Sequence, residues 1–139
     1  MENKAEITTT QSHSFKKEER LCSKKIIDRL FSEGQSFLAY PIKVVFLPTE
    51  LNTTFPVQAG FTVSKKSFKR AVKRNRIKRL MREAYRLHKH ELYRQLNDRQ
   101  LAVFFIFIGK ELPAYSSVEA GFKKAFDKLI KQLEVPSGR

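Results

Sequence analysis

Between Lys65 and Arg82 the chain carries ten cations in eighteen positions and no acid: Lys65, Lys66, Lys69, Arg70, Lys73, Arg74, Arg76, Lys78, Arg79 and Arg82. Like charges at that density repel one another, so the run is costly unless a polyanion neutralises it. Guanidinium forks match phosphate oxygens in pairs, and each phosphate neutralised releases condensed counterions. Most charge runs are simply solvated helix faces. Within this one there is no acid, and the helix that carries it has an amphipathic register. Binding of a polyanion is therefore the stronger reading.

Other chemistries find little support. A metal-dependent nuclease wants clustered carboxylates to hold Mg²⁺, and the fourteen acids are scattered. His88 falls on the apolar side of its helix, where a satisfied, partly buried imidazole is the better reading than a catalytic base. His90 lies two residues on, about 200° round the helix, so the pair cannot chelate one metal. His13 lies near the N-terminus, in a polar stretch. Ser64 and Ser67 flank lysines without a base partner, and no glycine loop of the phosphate-cradling kinds is present. The chain reads as a binder.

The whole composition agrees. A net charge of +14 and a pI near 10.1 favour nucleic acid first and an anionic membrane surface second. A membrane-surface helix is disfavoured because its apolar face is needed for the core and carries no Trp. The 41% hydrophobic content, with twelve Phe, is enough to fold, and 139 residues suit one domain. The single cysteine, Cys22, excludes an internal disulfide framework and fits a reducing cytosol. No apolar run reaches the roughly 20 residues of a membrane span, and the N-terminus lacks the apolar centre of a signal peptide.

Several elements must position the cations. Residues 1–14 read as a flexible tail, 15–135 as one α/β domain and 136–139 as a second tail. A short helix starts at Ser23, with Ile26, Ile27, Leu30 and Phe31 as its stripe and Gly34 as its stop. "PIKVVFLP", 41–48, and the alternating "PVQAGFTVS", 56–64, read as strands, and "LNTTFP" between them suits a hairpin-type connection. There is room for a further short strand near 36–40. A long helix runs from about Lys69 to about Leu96, with Ile77, Leu80, Met81, Ala84, His88 and Leu92 on its core side. Asn75, Lys78, Arg79, Arg82, Arg86 and Lys89 fall near the opposite side. "LAVFFIFI", 101–108, is apolar throughout, as a strand covered on both faces would be. A Ser116–Glu119 capping box is predicted to open a last helix, whose stripe is Val118, Phe122, Ala125, Phe126, Leu129 and Leu133. The strand–helix–strand from 57 to 108 implies a parallel pair within a mixed sheet. No helix-turn-helix, zinc-finger or basic-zipper spacing appears, and a sheet with aromatics beside a basic helix suits RNA.

"FTVSKKSFKRAVKRNRIKRLMREAYR", 61–86, resembles the central motif of the bacterial ribonuclease P protein subunit. That motif is a strand ending in V-S-K-K, then A-V-x-R-N-R-x-K-R-x-x-R. "RLCSKKIIDRLFSEG" is similar to the family's first helix, and the resemblance runs over roughly 15–133. It implies an α+β fold, a two-layer α/β sandwich of a mixed four-stranded sheet with three helices, similar to the second domain of ribosomal protein S5. It also implies a left-handed β-α-β crossover, against the general preference for the right-handed form.

The resemblance further implies that a catalytic RNA subunit removes the 5′ leader of precursor tRNA with Mg²⁺, while the protein assists as the other half of a heterodimeric cytoplasmic ribonucleoprotein. No metal site on the protein is implied. By position, Arg74, Asn75, Arg76, Lys78, Arg79 and Arg82 match the RNA-contacting motif and Lys65 and Lys66 the basic pair at the strand end. Arg70, Lys73 and Arg86 extend the same surface. Phe31 matches an aromatic of the leader cleft, to which Arg20, Ile27, Lys43 and Val45 are also assigned. Ile27 stands where the family often has a second aromatic, and Lys43 where an apolar residue can stand, so the implied grip leans on charge. A structural RNA-binding protein, such as a ribosomal component, is the alternative.

Overall fold

A computed structural model of the chain describes residues 15–96 and 99–134. The two predicted tails and His13 lie outside the described residues. A 3-10 turn, Lys17–Glu19, precedes α1 (Lys24–Glu33), β1 (Gln35–Ala39), β2 (Ile42–Pro48) and β3 (Val57–Val63). Then follow α2 (Ala71–Leu96), β4 (Leu101–Phe107) and α3 (Tyr115–Glu134). The four strands form one mixed sheet in the order β1-β2-β4-β3.

The alternation read in β3 is the one observed. Val57, Ala59, Phe61 and Val63 join Val44, Phe46, Val103, Phe105 and Phe107 on the face covered by α2 and α3. Aromatic rings fill that layer: Phe105 lies 5.7 Å from Phe61, 5.7 Å from Tyr85 and 4.7 Å from Phe122, centroid to centroid. Such offset and edge contacts add to the burial of large apolar area. The α3 stripe is buried from Val118 to Leu129, with Leu133 partly so.

The second face of the sheet is smaller in its cover. Leu30 of α1 packs with Leu21, Val45 and Ala102, and Ile26, Ile27, Leu47, Phe104 and Ile106 border that cluster. With β2 and β3 on its two sides and helices on both faces, β4 is apolar at every position for the reason anticipated.

Two local expectations are corrected. The 49–56 segment is not a hairpin: β4 lies between β2 and β3, pairing antiparallel with one and parallel with the other. The segment instead passes over the start of β4, where Gln100 holds it. Gln100 Oε1 accepts from Leu51 N at 2.8 Å, and its Nε2 donates to Thr53 O and Phe55 O at 2.8 and 3.0 Å. The hairpin joins β1 to β2 through a cis Tyr40–Pro41 bond. Nor does Ser116 cap α3. The helix begins one residue earlier, at Tyr115, and Glu119 faces His88 instead.

Ser23 does cap α1, its Oγ accepting from Ile26 N at 3.3 Å. Gly34 ends that helix through close approach: a Cβ there would lie 2.4 Å from Leu30 O and 2.8 Å from Phe46 O. Gly60 matters for a similar reason, since a Cβ on it would fall 2.2 Å from the Phe104 ring. Gly60→Ala should therefore displace that ring and cost about 1–3 kcal/mol in a denaturant titration. An unchanged midpoint would mean that Phe104 moves aside freely.

Candidate nucleic-acid interface

Helix α2 begins at Ala71, two residues later than expected, and buries Ile77, Met81, Ala84, Tyr85, Lys89, Leu92 and Leu96. Its buried stripe is thus centred nearer Tyr85 than the wheel suggested. Leu80 moves to the margin, half-buried, and Lys89 turns inward. Lys89 belongs to no basic face. Its ammonium pairs with Glu19 of the 3-10 turn, with only 2% and 1% of the two side chains exposed.

The surroundings of that pair explain how the interior holds it. Tyr93 Oη donates to Glu19 Oε1 at 2.6 Å, Lys16 N donates to Oε2 at 3.0 Å, and the Lys89 ammonium lies 5.6 Å from the Tyr93 ring centroid. Tyr85 Oη sits 3.5 Å from Tyr93 Oη. Burial pushes both tyrosine hydroxyls upward from their ordinary pKa, so each stays protonated and able to donate. The network fastens the stretch before α1 against α2. Phe15 adds edge contacts to Phe61 and Tyr85, at 5.7 and 5.6 Å.

That fastening places Arg20. It bridges to Ala59 on the outer edge of β3, and its exposed side chain meets Arg79, Arg82 and Arg86 around an open groove of about 490 Å³. Phe15 and Glu83 complete the lining. Asn75, Arg79, Arg82 and Arg86 form one stripe at spacings of four, three and four. Glu83 Oε2 accepts from Arg86 Nη2 at 2.7 Å, which orients that guanidinium at the groove wall. Four guanidinium groups converging on one hollow suit a phosphate-bearing strand.

The remaining predicted cations separate. Arg76 is exposed on the outer side, and Lys78 is half-buried. Arg70 and Lys73 lie at the start of α2, around a different crevice. Arg74 points back toward the preceding loop, where its Nη1 donates to Phe68 O at 2.8 Å and Lys69 O at 2.7 Å. Lys65 and Lys66 are exposed in the turn after β3.

The cleft residues divide in the same way. Phe31 is 52% exposed, with its ring 5.3 Å from that of Phe104, so it is no buried core residue. Along the cross-strand row Leu38–Lys43–Ile106–Thr62 the first two residues are exposed and the last two half-buried. Val45 is 6% exposed beneath Leu30, so it supports the cleft by packing and offers no contact surface; Ile27 is half-buried at the edge. Arg20 lines the α2 groove and also a smaller hollow with Ser23 and Ile26 at the start of α1, and Phe31 lines neither. His88 is the satisfied imidazole expected: its Nε2 lies 2.7 Å from Glu119 Oε2, and that hydrogen bond holds the Glu119 carboxyl below its ordinary pKa.

Phe15, Glu19 and Glu83 went unassigned from sequence. Tyr85, Lys89 and Tyr93 at four-residue spacing were the available signal for a buried polar stripe. Among the described residues no group of three or more His, Cys, Asp or Glu is placed to hold a metal ion, and no helix is long and apolar enough to cross a membrane.

The family model for Ribonuclease P matches residues 15–134. The chain belongs to the ribonuclease P protein family. The Ribonuclease P protein component of Porphyromonas gingivalis is 39% identical over 126 residues, covering 88% of this chain and 91% of its own. That of Chlorobaculum tepidum is 38% identical over 119 residues, covering 79% and 76%. The fold is shared with the RNase P protein from Thermotoga maritima, at a TM-score of 0.61 and 23% identity over 84% of this chain and 99% of that one. It is shared too with the Staphylococcus aureus RNase P protein, at 0.58 and 20% over 84% and 96%. As a ribonuclease P protein the chain is a subunit of a tRNA-processing ribonucleoprotein, and RNA binding follows from that membership. The ribosomal alternative loses its ground.

Proposed function

We propose that this subunit binds the catalytic RNA of ribonuclease P through the groove of Arg20, Arg79, Arg82 and Arg86, and holds the 5′ leader of precursor tRNA along the open part of the second sheet face. The convergence of four arginines from two chain segments on one groove carries this reading. Asn75, Arg76, Lys78, Lys65 and Lys66 extend the phosphate-binding surface on either side of it. Among the described residues no cluster of carboxylates is placed to hold an ion, and we assign the Mg²⁺ to the RNA, which performs the phosphodiester cleavage. The working unit is a heterodimer of one RNA and this single domain, residues 15–135, in the cytoplasm.

In the cleft, Phe31 offers an exposed ring beside Phe104 on which one base can stack, and Lys43 supplies charge further along. Phe31→Ala should weaken binding of leader-bearing precursor by ~1–3 kcal/mol while leaving mature tRNA binding unchanged. Equal losses on both substrates would remove Phe31 from the leader path. The function as a whole is tested by reconstitution with the catalytic RNA at low Mg²⁺. The protein should stimulate leader removal, and protein freed of RNA should cleave nothing; cleavage by protein alone at the reconstituted rate would overturn the proposal.

A further inference from the structure

The start of α2 carries a second basic hollow, distinct from the arginine groove. A crevice of about 360 Å³ lies between the β3–α2 and β4–α3 connections, and among its lining residues are Lys69, Arg70, Lys73, Lys110 and Glu111. All four cations are exposed, against one acid. Lys110 stands thirty-seven residues beyond Lys73 and outside the basic segment.

Both walls are held in place. Phe68 is 5% exposed, with its ring 6.1 Å from that of Phe107, and Arg74 Nη1 ties down the carbonyls of Phe68 and Lys69. On the other wall Gly109 passes so close to the same Phe107 that a Cβ would lie 2.7 Å from its ring. Lys110 follows directly. Cations fixed by the fold lose less freedom on binding than cations on loose loops.

Among the described residues none of these four cations forms a salt bridge. The first turn of α2 holds no acid, so Lys69, Arg70 and Lys73 oppose the helix dipole where acids would complement it. Their mutual repulsion calls for an external anion. The arginine groove cannot supply the same partner at the same point. Nine residues separate Lys73 from Arg82, which is about 13 Å along the helix and about 180° around it.

We infer that this crevice is a second phosphate-binding site for RNA, completed by Lys110 from outside the basic segment, and that it takes a different stretch of RNA from the one in the arginine groove. Arg74 acts there as a positioning residue. The inference rests on the RNA-binding reading above, and the test separates the two.

The full chain is titrated against a transcript of ribonuclease P catalytic RNA over a salt series. Lys110→Ala should weaken binding several-fold and lower the slope of log affinity on log salt by about one. Glu111→Gln should tighten binding. Lys131→Ala, about 24 Å along α3 from its first residue, should leave the slope unchanged. Lys110→Ala and Lys73→Ala together should cost less than the sum of the two, whereas Lys110→Ala and Arg82→Ala should add. A salt-independent wild type would overturn the RNA-binding reading and this inference with it. A salt-dependent wild type with an unchanged slope in Lys110→Ala, or with equal losses in Lys110→Ala and Lys131→Ala, would overturn the second site alone.

Discussion

Lys89→Ala is expected to cost ~3–5 kcal/mol of folding stability, the penalty for stranding one member of a buried ion pair. Without the ammonium, Glu19 keeps only the Tyr93 hydroxyl and the Lys16 amide as partners in a site 1% exposed. A buried carboxylate so placed must either protonate or leave. Leaving would carry the 3-10 turn off α2, take Phe15 from its ring contacts and withdraw Arg20 from the groove. RNA affinity should therefore fall by at least as much as in Arg20→Ala, although Lys89 touches no RNA. Replacing both charges together, Glu19→Leu with Lys89→Met, should restore much of the stability, because apolar packing removes the desolvation cost. Denaturant titrations of the three variants decide the matter. If Lys89→Ala lowered RNA affinity at unchanged stability, Lys89 would be the outward cation that the helical wheel suggested.

Raising salt from 50 to 200 mM should weaken binding of the catalytic RNA by roughly 10³-fold or more, provided six or more phosphates are neutralised. The groove of Arg20, Arg79, Arg82 and Arg86 supplies four of these cations. Arg76, Lys65 and Lys66, outside the groove, are exposed as well. The same surface can be dissected against the core. Arg79→Ala should lower affinity and the salt slope with little change in stability, since Arg79 is exposed. Ile77→Ala, two residues away but fully buried, should cost ~2–5 kcal/mol of stability. Leu80→Ala should cost less than Ile77→Ala, because Leu80 lies at the margin of the buried stripe. A salt slope near zero would show that the basic helix is not what holds the RNA.

The two expectations draw on different kinds of information. The basic segment, the helix beneath it and the inward stripes of β3 and α3 were legible in the amino-acid order, because each follows from a period of two or 3.6 residues. So was the cover of β4 on both faces, which its unbroken apolar run demands, though not its place between β2 and β3. The motif from Lys65 to Arg82 pointed to the family that the matched relatives show. Exposure of Phe31 was harder to judge, because the last apolar residue of a short stripe can face a core or its edge.

Periodicity misjudged the places where distant segments meet. Lys89 is a cation at a helix position, and its inward turn depends on Glu19, seventy residues earlier in the chain. The 49–56 segment looks like a hairpin because the strands beside it are close in sequence, yet β4 enters between them after the whole of α2 has been crossed. Arg20 and Lys110 acquire their companions only through such closures, one by the ion pair and one by two loops resting on Phe107. Charge and apolar pattern are local properties and can be read along the chain. Grooves, buried ion pairs and strand neighbours are set by which remote surfaces bury one another, and that free energy exists only once the chain has folded.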